Sequence, residues 1–283
     1  MPDPTLLSSA SLMAIAAIML IGVPHGGLDG AVARRSGWPN GTGPWILFHL
    51  AYLLLAAAVV ALWWRFPLVS LVAFLFVSAL HFGSSDIRHI SQFYKPQAWL
   101  PLVAHGGLVV IAIPAFQSPA VEPLFAVLVD ADSSLWLLAQ IDRLLLPWAA
   151  CVFFYLIYAV YQPRWRSAVY NLSLLILLAF LLPPLVSFAL YFCLWHSRNH
   201  MQRIWRSIAP DKRRRSAIET VAYSCLAYAA AALYFMLQVD MHGAAAFAPS
   251  MVQLTFIGLA ALTVPHMLLI DFIHEYREDR QYD

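Results

Sequence analysis

A chain of 283 residues in which 61% are hydrophobic and 11% charged lies outside the range of soluble domains, where roughly half the residues are apolar and about a quarter charged. That balance predicts an integral membrane protein, and a formal net charge of +2 gives no electrostatic case for a nucleic-acid partner. Cys151, Cys193 and Cys225 are isolated in apolar stretches with no CxxC pair, which argues against a disulfide framework or a zinc ribbon.

The first apolar segment, 6–24, lacks a basic leader and runs into Pro24-His25-Gly26-Gly27-Leu28-Asp29 rather than a small-residue cleavage site. It reads as a span of the mature protein. About twenty apolar residues cross a bilayer, and further segments of that kind lie near 45–63, 66–83, 98–116, 143–162, 168–182, 185–201, 217–237 and 251–273. The stretch from Ala168 to His200 is too long for one crossing, and Pro183-Pro184 removes two backbone donors, so the chain is split there. No linker or repeat divides the sequence, and the one low-complexity run is the basic Lys212–Arg215. The expectation is a single membrane domain over 1–283, an all-α polytopic transmembrane bundle of about nine spans, with eight as the alternative.

With nine spans the connections alternate in charge. One side holds Arg34 and Arg35, Arg88 and Lys95, Arg164 and Arg166, then Arg203, Arg206 and the Lys212–Arg215 run, with Arg277 and Arg280 in the tail. The other side has only Arg65 and Arg143, and its longest loop, 117–142, carries Glu122, Asp130, Asp132 and Asp142. The N-terminus is therefore expected outside and the C-terminus in the cytoplasm, in a multi-pass protein of the inner cell membrane. Spans one, three and seven then run the same way and bring His25, His81, His196 and His200 to one cytoplasmic depth.

Imidazole is costly in an apolar segment, so several at one depth suggest a shared metal ion. His196 and His200, at i and i+4, share a helix face and can grip one ion. His25 follows Pro24 and precedes two glycines, so the helix is expected to be irregular there. His81-Phe82-Gly83-Ser84-Ser85-Asp86 repeats the order histidine, glycine, carboxylate. Asp29 and Asp86 are expected to accept the second N–H of ligating histidines, although helix ends followed by solvated aspartates would give the same pattern. All-nitrogen ligation suits iron, copper or zinc better than magnesium or calcium; four histidines could close a zinc site, but an apolar enclosure argues for chemistry on a lipid-soluble substrate, and iron, as Fe(2+), is the expected metal. Of the ten histidines, His49, His105 and His266 also fall in spans, as extra ligands, pocket walls or core residues. His89, His242 and His274 fall in loops or the tail. The aromatic content, 14%, suits either a pocket for a conjugated ligand or ordinary belts and packing.

The three motifs PHGGLD, HFGSSD and FCLWHSRNH, in this order, resemble the Brp/Blh family of bacterial membrane β-carotene 15,15′-dioxygenases over essentially the whole chain. The resemblance implies a non-haem iron enzyme that uses dioxygen to cleave the central double bond of β-carotene into two all-trans retinal. It also implies a functional link to a microbial rhodopsin, and iron ligands at His25, His81, His196 and His200. Two positions depart from the family pattern: Asn199 stands before the last histidine, and Gly30 follows Asp29 where a histidine is frequent. The alternatives are a carotenoid- or retinal-binding or transport protein, a bis-histidine haem protein, and a membrane diiron desaturase or hydroxylase. Against the last, the chain has one HxxxH and no HxxHH box.

Overall fold

The computed structural model describes residues 6–91 and 95–270. Among them there is no strand, and ten helical runs follow in order. We number them α1 Ser9–Arg35, α2 Thr42–Arg65, α3 Pro67–Ile87, α4 Pro96–Phe116, α5 Ser118–Leu128, α6 Ala131–Tyr161, α7 Pro163–Leu181, α8 (184–207), α9 Pro210–His242 and α10 Ala244–Ile270. The all-α polytopic fold expected from the sequence is what the chain adopts.

Eight of these helices are long and apolar enough to cross a membrane. They turn large apolar side chains outward: Leu53, Leu54, Trp64, Leu146, Phe153 and Tyr161 are all exposed. Such a surface would aggregate in water and is stable against lipid chains. The run 184–207 was expected to hold the seventh of nine spans. It is helical along its length, but its second half, Trp195 to Arg206, is too polar for it to be counted with the eight. The break at Pro183-Pro184 lies where the sequence places it: α7 ends at Leu181, Leu182 is extended and α8 begins at Pro184. The long loop 117–142 is not a loop. Pro119 sits in the first turn of α5, and the Asp130 carboxylate accepts from the Ser133 N–H at 2.8 Å to open α6, so the acidic residues lie on or between helices.

The chain packs as two compact units. The first contains 15–70 and 197–270, which are α1 from Ile15, α2, the start of α3, the end of α8, α9 and α10. Val32, Ala33, Phe48, Leu269 and Ile270 form an apolar cluster there, covered by Trp38, Trp45, Tyr52 and Ile204. Arg34 forks onto Glu219 at 3.0 and 2.5 Å, and Arg215 joins the same carboxylate at 2.8 Å, tying the end of α1 to the start of α9.

The second unit contains 6–14 and 71–196. Its helices approach closely because glycines leave room: a Cβ on Gly83 would strike the Leu102 carbonyl, and one on Gly106 would strike the Ala79 carbonyl. In lipid, where no hydrophobic force drives helices together, close contact of this kind supplies the association. Gly107 likewise seats the Trp148 ring, whose Nε1–H donates to the Ala104 carbonyl at 3.0 Å.

Candidate metal centre

In the first unit α1 loses its regular winding as the sequence predicts. Ile18–Gly22 is a π turn and Val23–Leu28 a 3₁₀ turn. Pro24 has no N–H to offer the carbonyls one turn back; the Tyr228 hydroxyl on α9 bonds instead to Met19 O at 3.0 Å and lies 3.5 Å from Leu20 O. The irregular turn carries His25 inward, where it is buried and its Nδ1 bonds to the Gly22 carbonyl. Gly27 allows α9 to approach, since a Cβ there would meet Thr220.

Three imidazoles meet around this turn. The centroid of His25 lies 5.8 Å from that of His200 on α8 and 5.1 Å from that of His266 on α10, and His200 and His266 are 5.0 Å apart. All three are at least nine-tenths buried. Asp29, also buried, accepts from His266 Nδ1 at 2.7 Å and from the Tyr52 hydroxyl at 3.0 Å. The carboxylate expected to orient one of the four motif histidines thus orients His266 instead.

The second unit places His81 of α3 against His196 of α8, with centroids 4.9 Å apart. Phe82 and Phe192 pack on the His196 ring, at 4.8 and 5.9 Å. Asp86 lies 3.3 Å from His105 Nδ1 and accepts from the Tyr191 hydroxyl at 3.1 Å. Each unit therefore holds a pair of the expected histidines and a further histidine bonded to an aspartate that a tyrosine also reaches; in the first unit His266 packs on the pair, whereas in the second His105 packs on Tyr155. The HxxxH pair divides its partners, His196 packing on His81 and His200 on His25 and His266.

Sequence reasoning left His105 and His266 among several possibilities. The signal that would have raised them is local: His105 precedes Gly106-Gly107 and His266 follows Pro265, the same breakers that flank His25. π-helical turns stand next to each of these residues, at Leu108–Ala112 after His105 and at 268–270 after His266, while Leu190–Ser197 contains His196. Such turns recur at functional sites because they re-aim side chains. His49 is outside the cluster contacts: its Nε2 is 3.3 Å from the Tyr223 hydroxyl and its ring packs on Trp45 and Phe48. His242 is exposed and bonds to the Gln238 carbonyl, His89 is exposed, and His274 lies outside the described residues. At Gly30 a Cβ would lie 3.3 Å from the Glu219 carboxylate and 3.6 to 3.7 Å from Tyr223, so a larger residue there would have to displace the Glu219 side chain.

The donor chemistry fits a transition metal, with buried imidazoles and fixed tautomers. The nitrogens do not form a closed cage as they stand: among the described residues no group of three His, Cys, Asp or Glu side chains is disposed to hold an ion.

Fold and site together define a polytopic α-helical membrane protein with histidines buried inside its helix packing. The family model described as Beta-carotene 15,15′-dioxygenase matches residues 16–274, and the chain belongs to that family. It is 36% identical over 281 residues to the Beta-carotene 15,15′-dioxygenase of the uncultured marine bacterium 66A03, covering 94% of this chain and 95% of that one. It is 24% identical over 285 residues to the Probable beta-carotene 15,15′-dioxygenase Blh of Halobacterium salinarum, covering 92% of this chain and 83% of that one. No solved structure matches the chain.

Proposed function

We propose that this chain is an enzyme that cleaves the central 15,15′ double bond of β-carotene with dioxygen, giving two molecules of all-trans retinal. The observation that carries this reading is the likeness to the marine relative, 36% identical over nearly the whole of both chains. The reaction balances without a further reductant, since the two carbons of the broken double bond each take one oxygen atom. The family match over 16–274 supports treating the chain as one catalytic domain.

Fe(2+) is the proposed cofactor, with His25, His81, His196 and His200 as its ligands. The burial of all four and their packing against other histidines support this choice. Ferrous iron with open positions would supply a centre at which dioxygen is activated toward a closed-shell alkene, with no net loss of electrons from the metal. The protein's own part is positioning. In the first unit an apolar cavity of about 310 Å³ is lined by Met19, Val23, Trp64, Leu254, Ile257 and Leu262, among others. Val23 lies two residues before His25, and Leu262 one helical turn before His266. A polyene held there would be kept from water, with the choice of bond set by placement rather than by an acid or base.

The proposed setting is the inner cell membrane, with the N-terminus outside, the C-terminus cytoplasmic and the substrate arriving from the lipid. That orientation is the one that puts most of the basic connections inside if 184–207 also crosses. Retinal made in this way would serve a rhodopsin in the same cell.

The test is expression in cells that accumulate β-carotene, followed by pigment extraction. Loss of colour with retinal appearing is the expected result. Unchanged colour in membranes that contain the folded, iron-loaded protein would favour a carotenoid-binding protein and overturn the enzyme reading.

A further inference from the structure

We propose that His266 is a metal ligand beside His25 and His200, and that Asp29 and Tyr52 are positioning residues acting through it. The inference rests on the iron reading above and extends its ligand set.

The first support is ring spacing. An imidazole bound at about 2.1 Å has its ring centre about 3.2 Å from the ion, and two such rings at a tetrahedral angle have centres about 5.2 Å apart. The three separations here are 5.0, 5.1 and 5.8 Å, with the ring planes 69 to 88° apart. Edge-to-face packing alone gives separations in this range, so the spacing is compatible with a shared ion and the hydrogen-bonding pattern has to carry the choice. The three nitrogens do not converge as they stand, so an ion bound among them would draw the rings together.

The second support is tautomer. A neutral histidine that gives its Nδ1 proton to an acceptor carries its lone pair on Nε2. His266 Nδ1 faces Asp29 Oδ1 at 2.7 Å, and His25 Nδ1 faces the Gly22 carbonyl. Both rings are thereby set to bind through Nε2. A carboxylate on the far nitrogen also makes the ligand more basic. Asp29 is itself fixed: the Tyr52 hydroxyl reaches both Asp29 Oδ2 at 3.0 Å and the Leu262 carbonyl at 3.2 Å, one turn before His266 on α10. A buried carboxylate is expensive to retain for packing alone. The orienting role accounts for it.

The same construction recurs independently in the second unit, where Asp86 and Tyr191 hold His105 Nδ1. The His105 Nε2 is buried and has no hydrogen-bond partner among the described residues. An aspartate, a tyrosine and a histidine brought together from three helices in each unit are a repeated design and not an accident of one helix end.

The full chain in lipid nanodiscs is loaded with Fe(II), and separately with Co(II), whose visible bands respond to coordination number. Wild type, His266→Gln, Asp29→Asn and His242→Gln are compared, with helical circular dichroism and elution volume confirming that each is folded. Asp29→Asn is expected to weaken metal binding about 10- to 100-fold. His266→Gln is expected to weaken it at least as much and to change the Co(II) band intensity, and His242→Gln to change neither. A folded His266→Gln protein with wild-type affinity, or with weakened binding but an unaltered Co(II) spectrum, overturns the inference and leaves the iron reading standing. A wild-type protein that takes up no iron overturns both.

Discussion

At the scale of single residues, the buried aspartates decide more than their number suggests. Asp29 is four residues from His25, yet it turns to His266, because the 3₁₀ turn points His25 Nδ1 back at Gly22 and leaves the carboxylate facing α10. Replacing His81 or His196 with alanine is expected to abolish retinal formation and to lower iron content, whereas alanine at exposed His242 leaves both near wild type; pigment extraction with metal analysis checks this. Asp130 supports a different prediction, of stability. Its hydrogen bond from the Ser133 backbone, with smaller help from the Ser133 side chain, holds its carboxyl below the ordinary aspartate value of 3.8. A depressed folded value means that the cap is fully stabilising above the ordinary value and is lost as pH falls through it toward the lower folded one. Thermal melts of wild type and Asp130→Asn should therefore differ at neutral pH and converge in strong acid.

At the scale of elements, glycine and proline set where helices bend and how closely they approach. The irregular turn at Pro24 was legible in the sequence, because a proline without an N–H followed by two glycines leaves the helix little choice. The π turn around His196 was not: no proline or glycine lies within 190–197, and the winding is set by tertiary packing. Gly106→Ala should collide with the Ala79 backbone and cost about 1–3 kcal/mol, read as a lower melting temperature in detergent. Gly258 is the contrasting case. It lines the apolar cavity of the first unit and a Cβ there meets nothing within 4 Å, so Gly258→Phe should fold normally and fill the cavity. Its expected effect is a KM for β-carotene raised by about tenfold with iron content unchanged, which matches the loss of one to two kcal/mol of apolar contact.

At the scale of the whole molecule, the exposed apolar side chains and eight long apolar helices make a lipid bilayer the solvent of this fold. The membrane class, the helical content, the break before Pro184 and the identity of the motif histidines could all be read from composition and spacing, because apolar length and the missing N–H of proline act locally. The tally of spans was less legible, since 184–207 spends half its length on polar residues. What the sequence alone determined is which imidazoles are too costly to bury without a purpose. Which histidine each aspartate holds, and the packing of His266 on His25 and His200, were decided by tertiary structure. Those pairings join residues 237 and 19 positions apart, and a hydrogen bond between helices depends on packing distances that no spacing along the chain encodes.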